Sequence, residues 1–200
     1  MEPATGGRVL IHSSLGPIEV ELWTRESPLA CKNFLTLALE GYYDGTLFHR
    51  ISKDFALQGG DREHGDGTGG TSIFADPRKE FPNELNSRLR FTARGILATT
   101  GDTGQGNSSQ FFITLAQNVR IERSKHTIFG RVVGETIYNV AKANEFEVEP
   151  ETERPLFPPT IDRIEVLENP FPDVRPRDGE WWPLCISFFQ CVSQVLTYIL

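Results

Sequence analysis

Residues 47–61 read LFHRISKDFALQGGD, and an echo of them at residues 107–114 reads NSSQFFIT. In the first stretch one cation, Arg50, and one amide, Gln58, stand among Phe48, Ile51, Phe55 and Leu57. In the second, Gln110 leads directly into Phe111, Phe112 and Ile113. Both are short β-type runs that mix aromatics with single polar groups. A strand pair of this make-up can present a shallow apolar pocket edged by a few fixed donors.

Around these two stretches the chain alternates short strands with turns. Residues 8–13 and 17–23 flank Ser14-Leu15-Gly16, and Ile18, Val20 and Leu22 alternate with Glu19 and Glu21. That period of two predicts a hairpin with one buried face. Ser27-Pro28 opens a helix, with Ser27 as N-cap and Pro28 in the first turn; Ala30, Phe34, Leu37 and Ala38 form its apolar face and Gly41 ends it. Further strands are expected at 47–51, 55–58, 96–100, 110–114, 128–133 and 162–167, and a second helix at 135–144. Residues 145–153, EFEVEPETE, read as a solvated acidic loop. Short strands, many turns (Gly 18, Pro 13) and only two helices predict a closed antiparallel barrel whose open ends the helices cover.

Several function classes are excluded by composition and motif context. A net charge of −7 argues against direct nucleic-acid binding. Gly65, Gly67 and Gly70 spell GxGxxG, but a β-like TSIFADP follows where a dinucleotide site needs a helix, so no phosphate cofactor is expected. His64 in that loop reads as a surface histidine, and no metal is expected. Cys31, Cys185 and Cys191 form no CxxC, which fits a reducing compartment, and Cys31 reads as a small buried hydrophobe. MEPATGGRVL carries no signal-peptide pattern.

From residue 181 to 200, WWPLCISFFQCVSQVLTYIL, the chain holds no charge. The run is about long enough to span a bilayer, for which roughly 20 residues suffice. Pro183, Gln190 and Gln194 interrupt it. A tail anchor, a partner-binding segment and a foreign end such as a mis-spliced one are all open; the last ranks first, because nothing before residue 180 prepares for a membrane. The expected organisation is one domain at 1–170 and a C-terminal extension at 171–200.

Taken in order and spacing, FHRISKDFALQGGD, GTGGTSIF, NSSQFFIT and KHTIFGRV resemble the cyclophilins, peptidyl-prolyl cis-trans isomerases. The resemblance covers roughly residues 8–167 and implies an eight-stranded antiparallel barrel capped by two helices. EFPNELNSRLRF, TIYNVAKANE and ERPLFPP with NPFPDVRPR are similar to the spliceosome-associated branch. That likeness implies a nuclear protein with spliceosomal partners. By resemblance Arg50 is the catalytic arginine; Phe55, Gln58, Gln110 and Phe112 bind the proline-containing segment, and His126 lies at the pocket floor. Ala56 stands where the family has a methionine, and Ile121 where it has a leucine. The family's pocket tryptophan is missing, with Arg120 in its place, and the segment holding Thr100 and Gly101 lacks the usual asparagine. Cyclosporin binding should therefore be weak.

The chemistry suits these residue types. An X-Pro amide rotates over a barrier of ~18–20 kcal/mol because its nitrogen donates into the carbonyl. In the twisted state that donation stops, and the nitrogen becomes an acceptor that a guanidinium can bond more strongly than in either ground state. One function expected is an isomerase of reduced efficiency, needing no cofactor. The other is a module that binds proline segments in a spliceosomal complex without useful turnover.

Overall fold

The structure, a computed structural model, describes residues 2–74, 80–101, 106–122 and 125–177. Nine strands form one sheet: β1 (Gly7–Ser13), β2 (Ile18–Leu22), β3 (Thr46–Leu47), β4 (Arg50–Ser52), β5 (Ala56–Gly59), β6 (Ile96–Thr99), β7 (Phe111–Thr114), β8 (Ile128–Val132) and β9 (Thr160–Glu168). Their order is β3-β9-β1-β2-β8-β6-β7-β5-β4, and each neighbouring pair is antiparallel. The two ends of that order, β3 and β4, are separated only by Phe48 and His49. They are two pieces of one interrupted strand. Counted as one, they give the eight strands expected, and the covalent continuity between them closes the barrel.

Helix α1 (Pro28–Leu39) covers one opening. Its N-terminus departs from the expected local cap. Ser27 makes no side-chain cap bond and instead donates its Oγ–H to the Ile128 carbonyl at 2.7 Å. The distant Glu84 carboxylate accepts the Leu29 and Ala30 N–H groups, at 3.0 and 2.9 Å. A carboxylate there satisfies two orphan donors and complements the helix dipole. The C-terminus is as expected: Gly41 adopts φ +68°, and the Gly41 and Tyr42 N–H groups reach back to Ala38 and Leu37. The second helical segment runs from 134 to 145, but only α2 (Ile137–Ala141) is α-helical, with a 3₁₀ turn on either side.

The buried apolar residues form two clusters. The larger joins α1 to the barrel through Val9, Ile11, Phe34, Tyr43, Phe111 and Phe129, with Phe34 ring centroids 5.2–5.5 Å from Tyr43, Phe111 and Phe129. The smaller holds Trp23, Leu89, Phe91, Ala98, Phe112 and Ile128. Phe111 and Phe112 thus point to opposite sides of β7, as strand alternation requires. Cys31 is fully buried beside Phe129, and burial first, with the charges of Glu84 and Glu26 after it, pushes its thiol pKa well up. Such a thiol is inert packing.

Beyond β9 the chain folds back onto α1. Lys32 pairs with Asp173 at 2.6 Å and lies over the Phe171 ring, and Arg177 grips the buried Glu40 carboxylate at 2.8 Å. Among the described residues no helix is long and apolar enough to cross a membrane. The chargeless run at 181–200 lies outside the described residues.

Candidate active site

Strand register alone assembles the core of the site. Arg50 on β4 lies opposite Gln58 on β5; Gln58 lies opposite Phe112 on β7, and Phe112 opposite Ala98 on β6. One row across four strands therefore sets a cation, an amide, an aromatic ring and a small residue side by side. The neighbouring row turns Ile51, Leu57 and Ile113 into the barrel, all of them fully buried. On the outer face a cleft of about 320 Å³ is lined by Arg50, Phe55, Ala56, Gln58, Thr100, Phe112, Ile121 and His126. A volume of that order suits a small apolar group with a few polar contacts.

The walls are held on both sides. Phe112 stacks on Phe91 at 5.8 Å and meets His126 edge-on at 5.3 Å, both geometries favourable for rings. The His126 Nδ1 lies 2.9 Å from the Thr99 carbonyl, so in the neutral ring Nδ1 carries the hydrogen. Ala56, almost fully buried, also lines the cleft.

The polar edge is a chain of amides. Gln58 Nε2 donates to Gln110 Oε1 at 3.0 Å, and Gln110 Nε2 donates to the Gly67 and Gly69 carbonyls at 2.8 and 2.6 Å. The loop carrying those glycines winds around one carboxylate. Asp61, 1% exposed, accepts the N–H groups of His64, Asp66, Gly67 and Gly69. Burial alone would raise the Asp61 carboxyl, but the four amides outweigh it and hold the pKa at about 2. His64, read as a lone surface histidine, has company: its ring, Asp61 and Asp66 bring their ligand atoms within 4.8 Å of one another. Thr68 already bridges His64 and Asp66.

Arg50 is held from the other side. Its Nε and Nη2 both donate to Glu153 Oε2, at 2.9 and 2.5 Å, while Nη1 lies 3.4 Å from Gln58 Oε1 on the cleft side. Ser52 Oγ donates to the second Glu153 oxygen at 2.6 Å. The Ser52 bond first, and the Arg50 guanidinium after it, hold Glu153 below the usual glutamate value. The acidic segment is therefore not simply solvated. Residues 147–156 fold into a small antiparallel loop around the Val148–Pro155 bridge, and its tip docks on β4.

Not every expected site residue lines this cleft. Arg120 is exposed and does not line the cleft; the half-buried Ile121 does. The cause is packing, since Ile121 joins the apolar cluster of Phe112 while a guanidinium keeps its hydration. Gly101 and Gln110 line a second, polar cavity of about 310 Å³ beside the first. Gly101 has no room for a side chain, because an added Cβ would collide with Asn107 Oδ1. That asparagine is fully buried, bonded to Thr99 Oγ1 at 2.5 Å and Asn83 Oδ1 at 2.9 Å, and serves as internal scaffold. Among the described residues the indole is that of Trp23, buried beneath Phe112 with its N–H on the Pro3 carbonyl, and it does not reach the cleft.

Comparison with known proteins agrees with this architecture. A family profile described as cyclophilin type peptidyl-prolyl cis-trans isomerase matches residues 8–166. Peptidyl-prolyl isomerase cwc27 of Rhizopus delemar is 49% identical over 180 residues, 90% of this chain and 33% of that protein. The spliceosome-associated protein CWC27 homolog of Xenopus laevis is 48% identical over 88% of this chain and 36% of its own length. Peptidylprolyl isomerase cyp7 of Schizosaccharomyces pombe is 47% identical over 88% and 37%. The chain thus spans about a third of the length of the curated relatives it matches. A crystal structure of a Cryptosporidium parvum cyclophilin type isomerase superposes with a TM-score of 0.74 at 32% identity, covering 84% of this chain and all of that one. The same protein crystallised in the presence of the dipeptide Ala-Pro gives a TM-score of 0.74 at 32% identity, over 81% and 99%. With a profile match over most of its length and a solved relative covered end to end, this chain belongs to the cyclophilin-type peptidyl-prolyl cis-trans isomerase family.

Proposed function

We propose that this chain isomerises X-Pro bonds in protein segments, with Arg50 as the catalytic group. The observation that carries the reading is the register row, which sets the Arg50 guanidinium beside the apolar cleft of Phe55 and Phe112. A prolyl ring seated against Phe112 brings its nitrogen to the cleft edge. As the amide twists, the nitrogen lone pair becomes an acceptor and the guanidinium donates to it, while Gln58 holds the peptide backbone. A charge-assisted bond worth about 1.5–3 kcal/mol net supplies roughly one to two decades of rate. Seating the ring strips water from the amide and supplies the remainder. No nucleophile or proton transfer enters the scheme.

The proposed substrate-binding set is Phe55, Ala56, Gln58, Phe112, Ile121 and His126 around the ring, with Thr100, Gly101 and Gln110 along the adjoining cavity. Without an indole on the rim, cyclosporin affinity is weak. We place the working unit at residues 1–170 and treat 171–200 as an extension. The relatives named as spliceosome-associated support nuclear work on spliceosomal proteins. A second reading, a binding module with little turnover, draws on one specific observation: two of the Arg50 nitrogens are already occupied by Glu153.

Exchange NMR on an Ala-Pro peptide separates the two. Uncatalysed exchange takes on the order of 10–100 s, so even weak catalysis produces exchange peaks. Isomerase action requires such peaks with the native chain and their loss with Arg50→Ala. Shifted peptide resonances without exchange peaks would leave a binding module.

A further inference from the structure

Glu153 sits in a conformation that its residue type disfavours. Its φ is +56°, in the left-handed region where glycine, asparagine and aspartate are at home. The other described non-glycine residues with positive φ are Asp54 and Asn118, both tolerant types. A glutamate has no local side-chain turn to compensate for the strain, so something beyond the backbone must hold it there.

Three groups do. The Glu153 carbonyl accepts the Ile51 N–H at 2.9 Å, which docks the loop tip onto the edge of β4. Its carboxylate Oε2 then takes Arg50 Nε and Nη2, and its Oε1 takes Ser52 Oγ. Arg50 and Ser52 alternate with the buried Ile51, so both face the same side of β4 and one carboxylate can span them. The loop is itself tied down next door, where Arg154 donates to the Gly65 carbonyl at 3.0 Å. Two of the three guanidinium nitrogens are thereby fixed, and the plane of the group with them. The third, Nη1, is left at the cleft edge against Gln58.

We propose that Glu153 is a positioning residue: from an acidic loop 103 residues away in the chain, it clamps Arg50 in the orientation that presents Nη1 to the twisting amide nitrogen. The inference rests on the isomerase reading above. An unclamped arginine samples many rotamers, and ordering it at the moment of reaction lowers the rate; a clamp removes that cost beforehand. The effect falls on turnover, because the donor engages the transition state more than the bound peptide.

The test uses two variants of the whole chain. Glu153→Gly keeps the backbone path and relieves the strain, so it tests the side chain without threatening the fold. Glu153→Gln keeps an acceptor of the same length. Thermal unfolding, peptide affinity by NMR titration, exchange rate and 15N relaxation at Arg50 Nε are measured for each. In Glu153→Gly the unfolding midpoint should hold or rise and peptide affinity should change less than about twofold. Catalysed exchange should fall about tenfold, and the Nε–H vector should become mobile. Glu153→Gln should restore both exchange and order to within about threefold of the native chain. Exchange in Glu153→Gly equal to or faster than native, or an Nε–H that stays ordered without Glu153, overturns the proposal. If the native chain itself shows no exchange, the isomerase reading has failed, and the relaxation measurement still decides the clamp.

Discussion

Two carboxylates anchor the two loops on either side of the β4–β5 hairpin, and they do so in opposite ways. Asp61 is 1% exposed and faces inward, gathering four backbone N–H groups of the glycine-rich loop. Glu153 keeps a third of its side chain in solvent and gathers side chains instead, Arg50 and Ser52. One carboxylate shapes a backbone, and the shaped backbone then holds Gln110 and through it Gln58. The other leaves the backbone strained and aims a cation. The difference teaches where each should be felt, Asp61 in stability and Glu153 in chemistry.

The sharpest way to break the comparison is Asp61→Asn. With a folded pKa of about 2 against ~3.9 unfolded, and ~1.4 kcal/mol per unit, the charged carboxylate contributes about 2.6 kcal/mol. The variant should therefore unfold about 5–10 °C lower in calorimetry, at roughly 2–4 °C per kcal/mol for a domain of this size. An unfolding midpoint within a degree of native would remove Asp61 from its structural role. Acid provides the same contrast without mutation. Because the folded Asp61 pKa lies below the unfolded one, its contribution is complete above about pH 4 and drains away as the pH falls towards 2. Amide signals of residues 64–69 should persist through that window and shift only near its lower end.

Smaller effects are expected on the other side. Removing the Glu153 carboxylate should alter the unfolding free energy by no more than about 1 kcal/mol, as for other solvent-exposed ion pairs. Ser52→Ala should alter it by about 0.5 kcal/mol, while chemical shifts at Arg50 Nε register the change. A Glu153 variant as destabilised as Asp61→Asn would erase the distinction between the two anchors.

What the sequence made legible follows the same divide. Arg50, Gln58 and Phe112 could be picked out because each stands in a short β-type run that mixes aromatics with single polar groups and resembles the cyclophilin motifs. Strand pairing then needed only to set the runs edge to edge. The strands and Gly41 as helix stop were legible for the same local reason. Glu153 was not, since EFEVEPETE has the composition of a solvated loop and its partners lie a hundred positions back. Glu84 at the start of α1 was hidden likewise, because Ser27 looked sufficient as a cap until its hydroxyl found the Ile128 carbonyl. Arg120 and Ile121 illustrate a third kind of loss: one step of register in a loop decides which side chain meets the cleft, and no periodicity fixes that step. Carboxylates and loops take their roles from tertiary partners, which a local pattern does not encode.

The place of β9 in the sheet carries a consequence for timing. It is the ninth strand in sequence, yet it lies between β3 and β1, pairing Val9 with Val166 and Thr46 with Ile161. A chain emerging from the ribosome through β8 has most of its hydrophobic surface but an unfilled gap at the seam. Pairing across so long a separation is slow, because the entropy of closing the loop precedes any reward. Residues 149–156, with Glu153 at their tip, emerge immediately before that strand. The guanidinium therefore gains its clamp in the same late event that seals the barrel, and a nascent chain stalled short of residue 168 would have an arginine on β4 with nothing to aim it.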